Sequence, residues 1–140
     1  SPFRMRRSLT KEERLRSRRD IGGVFRHGTT YKCRGMILKV RLNEVGHNRI
    51  VVAPPRKAGS AVVRNRLRRI GTEAYRTQKE LFASGYDCAI IVFPGDYSFE
   101  ERKEHLRTLC RRAGLLKPDV VTNGATLTTE TSTTETSTTD

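Results

Sequence analysis

The chain has 140 residues, enough for one compact domain with its own core and short for two. Its 28 Lys and Arg outnumber 15 Asp and Glu, giving a net charge of +13 and a pI near 10.5, the balance of a protein with a polyanionic partner. No run approaches the roughly 20 apolar residues that span a bilayer, so nucleic acid is favoured over a membrane, and nothing calls for a small-molecule ligand. Cys33, Cys88 and Cys110 lie far apart without CxxC or Cys/His spacing. They support neither a zinc site nor a disulfide scaffold, and fit small buried hydrophobes in a reducing cytoplasm.

The arginine-rich start also carries Glu12, Glu13 and Asp20, acids that transit peptides avoid, so it is read as part of the mature protein. Thr10-Lys-Glu-Glu13 is a capping box, and it predicts a helix from about Lys11 to His27 with Gly28 as its C-cap. Gly22 and Gly23 weaken that helix by roughly 1 kcal/mol each, so it needs tertiary support. Strand-like runs at residues 36–40 and 49–53, separated by a polar turn region at 43–48, predict a hairpin, with a less distinct earlier strand at 29–32. Pro54 and Pro55 end the second run, and a helix is predicted from about Ala61 to Ala83. Residues 86–93 form an almost unbroken apolar run bounded by Pro94-Gly95, the pattern of a central strand covered on both faces. Ser98-Phe-Glu-Glu101 is a second capping box, opening a helix that Gly114 ends.

These elements predict a single α+β domain over residues 1–121. From Thr122 onward the chain has no Lys, Arg or aromatic residue and three acids, a Thr-rich low-complexity tail over 122–140 expected to be disordered. Removing the tail's three acids from the 15 leaves 12 against all 28 basic residues, so the folded part carries +16.

Residues 54–69 hold six basic side chains and no acid. At about 100° per residue, Val63, Leu67, Ile70 and Ala74 fall within about 60° of one another, an apolar stripe for the core. Measured from Val63, Arg64, Arg68 and Arg69 sit at about +100°, +140° and −120°, Asn65 near −160°, and Arg66 closer to the stripe at about −60°. Arg56 and Lys57 stand on the approach to the helix N-terminus, whose dipole also favours phosphate. Guanidinium forks stay charged and bond phosphate oxygens in pairs, so this array predicts anion recognition rather than a merely solvated face.

The pattern Gly59-Ser-Ala-Val-Val-Arg64-Asn65-Arg66-Leu-Arg68-Arg69 resembles the RNR signature of the bacterial ribonuclease P protein family. Arg14-Leu15, Asp20-Ile21 and Val24 to Gly28 resemble its first helix, Arg49 to Ala53 the strand before the signature, and 86–93 and 98–113 its closing strand and helix. The resemblance implies an αβββαβα two-layer sandwich with a left-handed βαβ crossover, the fold of the second domain of ribosomal protein S5. It implies a non-catalytic subunit. The RNA partner would remove the 5′ leader of precursor tRNA with magnesium held at its own active site, and the protein would bind that catalytic RNA and the leader. Arg56, Lys57, Arg64, Asn65, Arg66, Arg68 and Arg69 are then expected to face the catalytic RNA, and Ile21, Phe25, Ile37 and Lys39 to line the leader cleft. Phe25 either stacks on a base or lies in the core. Pro54-Pro55 and Gly71-Thr72 depart from the family pattern.

Two other readings compete. An autonomous nuclease needs converging carboxylates and histidines, and His27, His47 and His105 are scattered, so no catalytic or metal-binding residue is assigned to this chain. A binder of structured RNA like a ribosomal protein shares the charge and size, and only the RNR signature sets it apart.

Overall fold

The structure, a computed structural model, describes residues 9–117; the predicted tail and its boundary at residue 121 lie outside them. A 3-10 turn at Lys11–Glu13 precedes α1 (Arg18–His27), β1 (Thr29–Cys33), β2 (Met36–Leu42), β3 (Arg49–Ala53), α2 (Ala61–Arg76), a second 3-10 turn at Lys79–Leu81, β4 (Tyr86–Val92) and α3 (Phe99–Arg112). The order αβββαβα is the expected one. The four strands lie in the order β1-β2-β4-β3.

Where the strands meet differs from the sequence reading in one respect. The predicted hairpin of residues 36–40 with 49–53 does not form: β2 pairs antiparallel with β1 and β4, while β3 pairs parallel with β4. The tight turn is Arg34-Gly35, closed by the Cys33↔Met36 pair, and Gly35 takes the left-handed φ of +84° that a side chain would strain. A parallel β3–β4 pair requires a crossover, and α2 supplies it. β4 sits between two partners, as its two-sided apolar run predicts.

Two predicted helices are shorter than their patterns suggested. The Thr10–Glu13 capping box is made, with the Thr10 N–H donating to Glu13 Oε1 at 2.8 Å, yet it caps only a single 3-10 turn. Arg14 then extends alongside β3, Leu15 N–H donates to Ile50 O at 2.7 Å, and Ser17 becomes the real N-cap of α1. An arginine-rich stretch lacks the apolar repeat to hold a helix, and a free strand edge offers its backbone a partner. Likewise α2 stops at Arg76 rather than Ala83. Gly28 closes α1 in extended backbone (φ −76°), not as a left-handed cap; a Cβ there would lie 2.5 Å from Val24 O and 3.0 Å from Val40 O.

The register separates the sheet's side chains into two sets. Met36, Leu38, Val40, Ile50, Cys88, Ile90 and Val92 pack beneath α2 and α3 with Leu67, Ala74, Tyr75, Leu106, Leu109 and Cys110, forming the main core. α1 lies on the opposite face, where Leu15, Val24 and Ala89 form a small buried apolar cluster, with Ile21 and Val51 against them. The departure at Gly71 has a packing cause: a Cβ there would lie 2.5 Å from Val52 and 2.8 Å from Val92, so glycine lets α2 approach the sheet. Pro54 is buried at the end of β3, where the ladder needs no further donor. Arg102 of α3, 2% exposed, donates to Gly35 O at 3.1 Å and Phe93 O at 2.8 Å and lies 4.6 Å from the Tyr97 ring, so it ties α3 to the β1–β2 turn through carbonyls. Cys88 and Cys110 are buried free thiols, and burial, with Asp87 adding to it, pushes the Cys88 thiol up to about 12.

Candidate nucleic-acid interface

α2 begins at Ser60, whose hydroxyl accepts the Val63 N–H at 3.3 Å, and its first turn contains no acid. Leu67, Gly71, Ala74 and Tyr75 are buried, and Val63 and Ile70 are half-buried beside them, so the predicted stripe faces the core. Asn65, Arg66, Arg68 and Arg69 are exposed, and Arg68 Nη1 donates to Asn65 Oδ1 at 2.7 Å. Arg66, placed nearer the stripe by angle alone, points clear of it because the helix is covered on one side only. The first acid along α2, Glu73, is held by Arg76 in two hydrogen bonds of 3.1 Å, and that bonding pulls its carboxyl below the usual range. It therefore does not neutralise the array. Arg64 is the exception: its guanidinium turns back to donate to Arg56 O at 2.8 Å and reaches Pro55 O at 3.5 Å. It braces the loop that leaves Arg56 and Lys57 exposed.

On the other face, Phe25 and Lys39 come together. Phe25 is 40% exposed, which removes the core alternative, and Lys39 Nζ lies 5.9 Å from its ring centroid while donating to Thr30 Oγ1 at 2.9 Å. Ile37 is half-buried on the same sheet face, two residues along β2 and opposite Ile91. Ile21 does not share this opening equally: it packs against Leu15, Val24 and Ala89 and serves to seat α1. The result is a shallow apolar floor with one exposed ring and one ammonium at its rim.

Several residues that shape these surfaces went unassigned in the sequence. Arg49 forms a two-pronged pair with Asp87, 2.8 Å at each prong, and reaches Asp20 at 3.3 Å, which raises the guanidinium's affinity for its proton and fastens β3 to β4 and α1. Arg14 and Arg16 flank the buried Leu15 on extended backbone and are both exposed, next to a groove of about 340 Å³ that Arg68 borders from α2. The signal was present in Ser17-x-x-Asp20, a second helix start five residues after Glu12. Among the described residues, no group of three or more His, Cys, Asp or Glu is arranged to hold a metal ion.

A single mixed four-stranded sheet with an arginine-lined crossover helix and a half-covered opposite face defines a class of small basic α+β proteins. Within it, the family model for ribonuclease P matches residues 9–114, and the chain belongs to the ribonuclease P protein component family. It is 34% identical over 115 residues to the ribonuclease P protein component of Dictyoglomus thermophilum, covering 79% of this chain and 95% of the relative. It is also 34% identical over 114 residues to that of Bacillus velezensis, covering 78% and 96%. The solved RNase P protein of Thermotoga maritima superposes with a TM-score of 0.65 at 29% identity over 71% of this chain and 96% of that one. The Staphylococcus aureus RNase P protein shares the fold, with a TM-score of 0.65 at 19% identity over 75% of this chain and 98% of that one. Membership makes the chain a subunit of a tRNA-processing ribonucleoprotein, partnered with the ribonuclease P RNA. No described helix is long and apolar enough to cross a membrane.

Proposed function

We propose that the chain is a non-catalytic RNA-binding subunit: Arg56, Lys57, Asn65, Arg66, Arg68 and Arg69 engage phosphates of the catalytic RNA, and Arg64 holds their loop. The Phe25–Lys39 opening, floored by Ile37 and backed by Ile21, receives the 5′ leader of precursor tRNA. Cleavage belongs to the RNA, with magnesium at the RNA's own active site, and the complex works in the cytoplasm, where buried free thiols stay reduced. The observation that carries this reading is the acid-free exposed face of α2, four polar side chains over one and a half turns with no carboxylate to compete. Lys39 beside Phe25 supports a leader contact that combines a stacking face with a phosphate partner.

The test is reconstitution. Leader removal from precursor tRNA at low magnesium is measured with the ribonuclease P RNA alone, the protein alone and both; activity is expected only when both are present. The double variant Arg66→Ala/Arg69→Ala should weaken binding to the RNA and flatten the dependence of log affinity on log salt by about 1.8, two duplex phosphate contacts' worth. Cleavage by the protein alone, or an unchanged salt slope, would overturn the reading.

A further inference from the structure

The register rules the sheet face under α1 into rows. Arg41 of β2 and Arg49 of β3 both stand opposite Asp87 of β4, so one acid lies between two arginines, and the next row is Lys39, Ala89 and Val51. On α1, Asp20, Gly23 and Val24 share one side, being three and four residues apart, and that side meets these two rows. Val24 clusters with Ala89. A Cβ on Gly23 would run into Arg41 Nη1, so the bare backbone there leaves room for that guanidinium. Asp87, 5% exposed, accepts from Arg49 Nε and Nη2 at 2.8 Å each and from Asn43 Nδ2 at 2.9 Å. A guanidinium held at two points cannot swing, so the direction of its remaining donor is set. That donor, Nη1, meets Asp20 Oδ2 at 3.3 Å.

What this clamp controls is the roll of α1 about its own axis. The far end of the helix is fixed at Gly28, where a Cβ would lie 3.0 Å from Val40 O. Between the ends, its buried seat on the sheet is the small side chain of Ala89, which resists rotation weakly. Phe25 lies about 140° round the helix from Asp20. A ring about 5 to 6 Å from the axis moves about 1 Å for a roll of about 10°, so releasing Asp20 would change the gap between Phe25 and Lys39 Nζ, now 5.9 Å from its centroid.

We propose that Asp20, aimed by the Arg49–Asp87 pair, is a positioning residue for recognition of precursor tRNA: it holds α1 at the roll that sets Phe25 over Lys39 and so fixes the width of the leader opening. Asp20 acts through Phe25 rather than on the RNA itself. The proposal rests on the leader reading of that opening and adds the part of the protein that sets its geometry. Asp20 also places a charge in the first turn of α1, where any acid favours the helix dipole. Asparagine separates the two roles, because it loses the charge but keeps a carbonyl oxygen that can accept from Arg49 Nη1.

The full-length chain is assembled with its cognate ribonuclease P RNA, and affinities are measured for two precursor tRNAs, one with a long leader and one with a minimal leader. Their ratio reads the leader contact. Asp20→Ala should lower this ratio about threefold, a fraction of the stacking contact itself, and leave the minimal-leader affinity and the chain's affinity for the catalytic RNA unchanged. Asp20→Asn should keep most of the ratio. Both variants retain the backbone bond to Ser17 Oγ that caps the helix. An equal loss in the two variants, or a loss shared by the minimal-leader substrate, would assign Asp20 to helix stability and overturn the positioning role. If Phe25→Ala lowers the ratio and Asp20→Ala does not, the positioning role is overturned and the leader reading stands. If neither lowers it, both are overturned.

Discussion

The two faces of the sheet are built to different standards. Beneath α2 and α3 most inward side chains are buried, from Met36 and Val92 at 0% to Leu116 at 8%. Beneath α1 the same strands alternate to Ile37, Lys39 and Arg41 on β2, of which none is fully buried, while on β4 Ala89 is sealed by Val24 and Leu15 and Asp87 is buried in its pair with Arg49. One ten-residue helix with two interior glycines cannot cover four strands, and the uncovered part is where an exposed ring and an ammonium sit. Stability is concentrated on one face, and the other is left partly uncovered. This is the arrangement expected when a binding cleft must remain apolar enough to hold a base without being filled by the protein itself.

The comparison can be broken most forcefully in the main core. Leu109 is 0% exposed, and Leu109→Ala should cost about 2–5 kcal/mol by urea unfolding, a large part of the stability of a domain this size. Gly71→Val tests the same face from the opposite direction: its added methyls meet Val52 and Val92, and overpacking should cost about 1–3 kcal/mol. If either variant unfolded at the parent's urea midpoint, the face beneath α2 would not be the one that carries the stability.

Phe25→Ala examines the open face. It should leave stability within about 0.5 kcal/mol, as an exposed side chain away from the core does, while weakening leader binding by about 1–3 kcal/mol in a comparison of precursor tRNAs with long and minimal leaders. A stability loss matching Leu109→Ala, with leader binding intact, would assign Phe25 to packing and close the cleft.

How far the sequence could be read follows the same division. The apolar stripe Val63, Leu67, Ile70, Ala74 was legible because a helix covered on one side must repeat at three and four residues, and β4 was legible as central because both its faces are covered. Pairing was not legible: residues 36–40 and 49–53 are neighbours in the chain, yet nothing local records that β4 inserts between them. Capping boxes behaved alike at the level of hydrogen bonds, since Thr10–Glu13 and Ser98–Glu101 both form, but a cap fixes only a first turn. The buried Leu106, Leu109 and Cys110 carry the second into a helix of 14 residues, whereas after the first the chain runs through Arg14, Leu15 and Arg16 outside any helix. In the candidate site, exposed arginines were visible as a charge run. Arg64's turn toward Arg56 and the Arg49–Asp87 pair depend on elements brought together by the fold, and no spacing encodes them.

The smallest expected effect lies where the two faces meet, at the first 3-10 turn. Glu13 accepts the Thr10 N–H and holds Lys79 Nζ at 3.0 and 3.1 Å, tying the segment before α1 to the turn after α2. Partial burial pulls its carboxyl upward, but the hydrogen bonds from Thr10 and Lys79 and the lysine's charge outweigh that and leave it below the ordinary 4.5. A carboxyl lowered in the folded state binds its proton more readily in the unfolded chain. Its stabilising contribution is therefore fully present above pH 4.5 and is lost as the pH falls through the folded value. Glu13→Gln should cost less than about 1 kcal/mol at neutral pH, the usual scale for a pair still reached by water. The difference from the parent chain should hold constant down to about pH 5 and shrink below it in urea titrations at stepped pH. A gap that widened toward acid would mean that the carboxyl is raised in the folded protein and that burial, rather than Lys79, governs this joint.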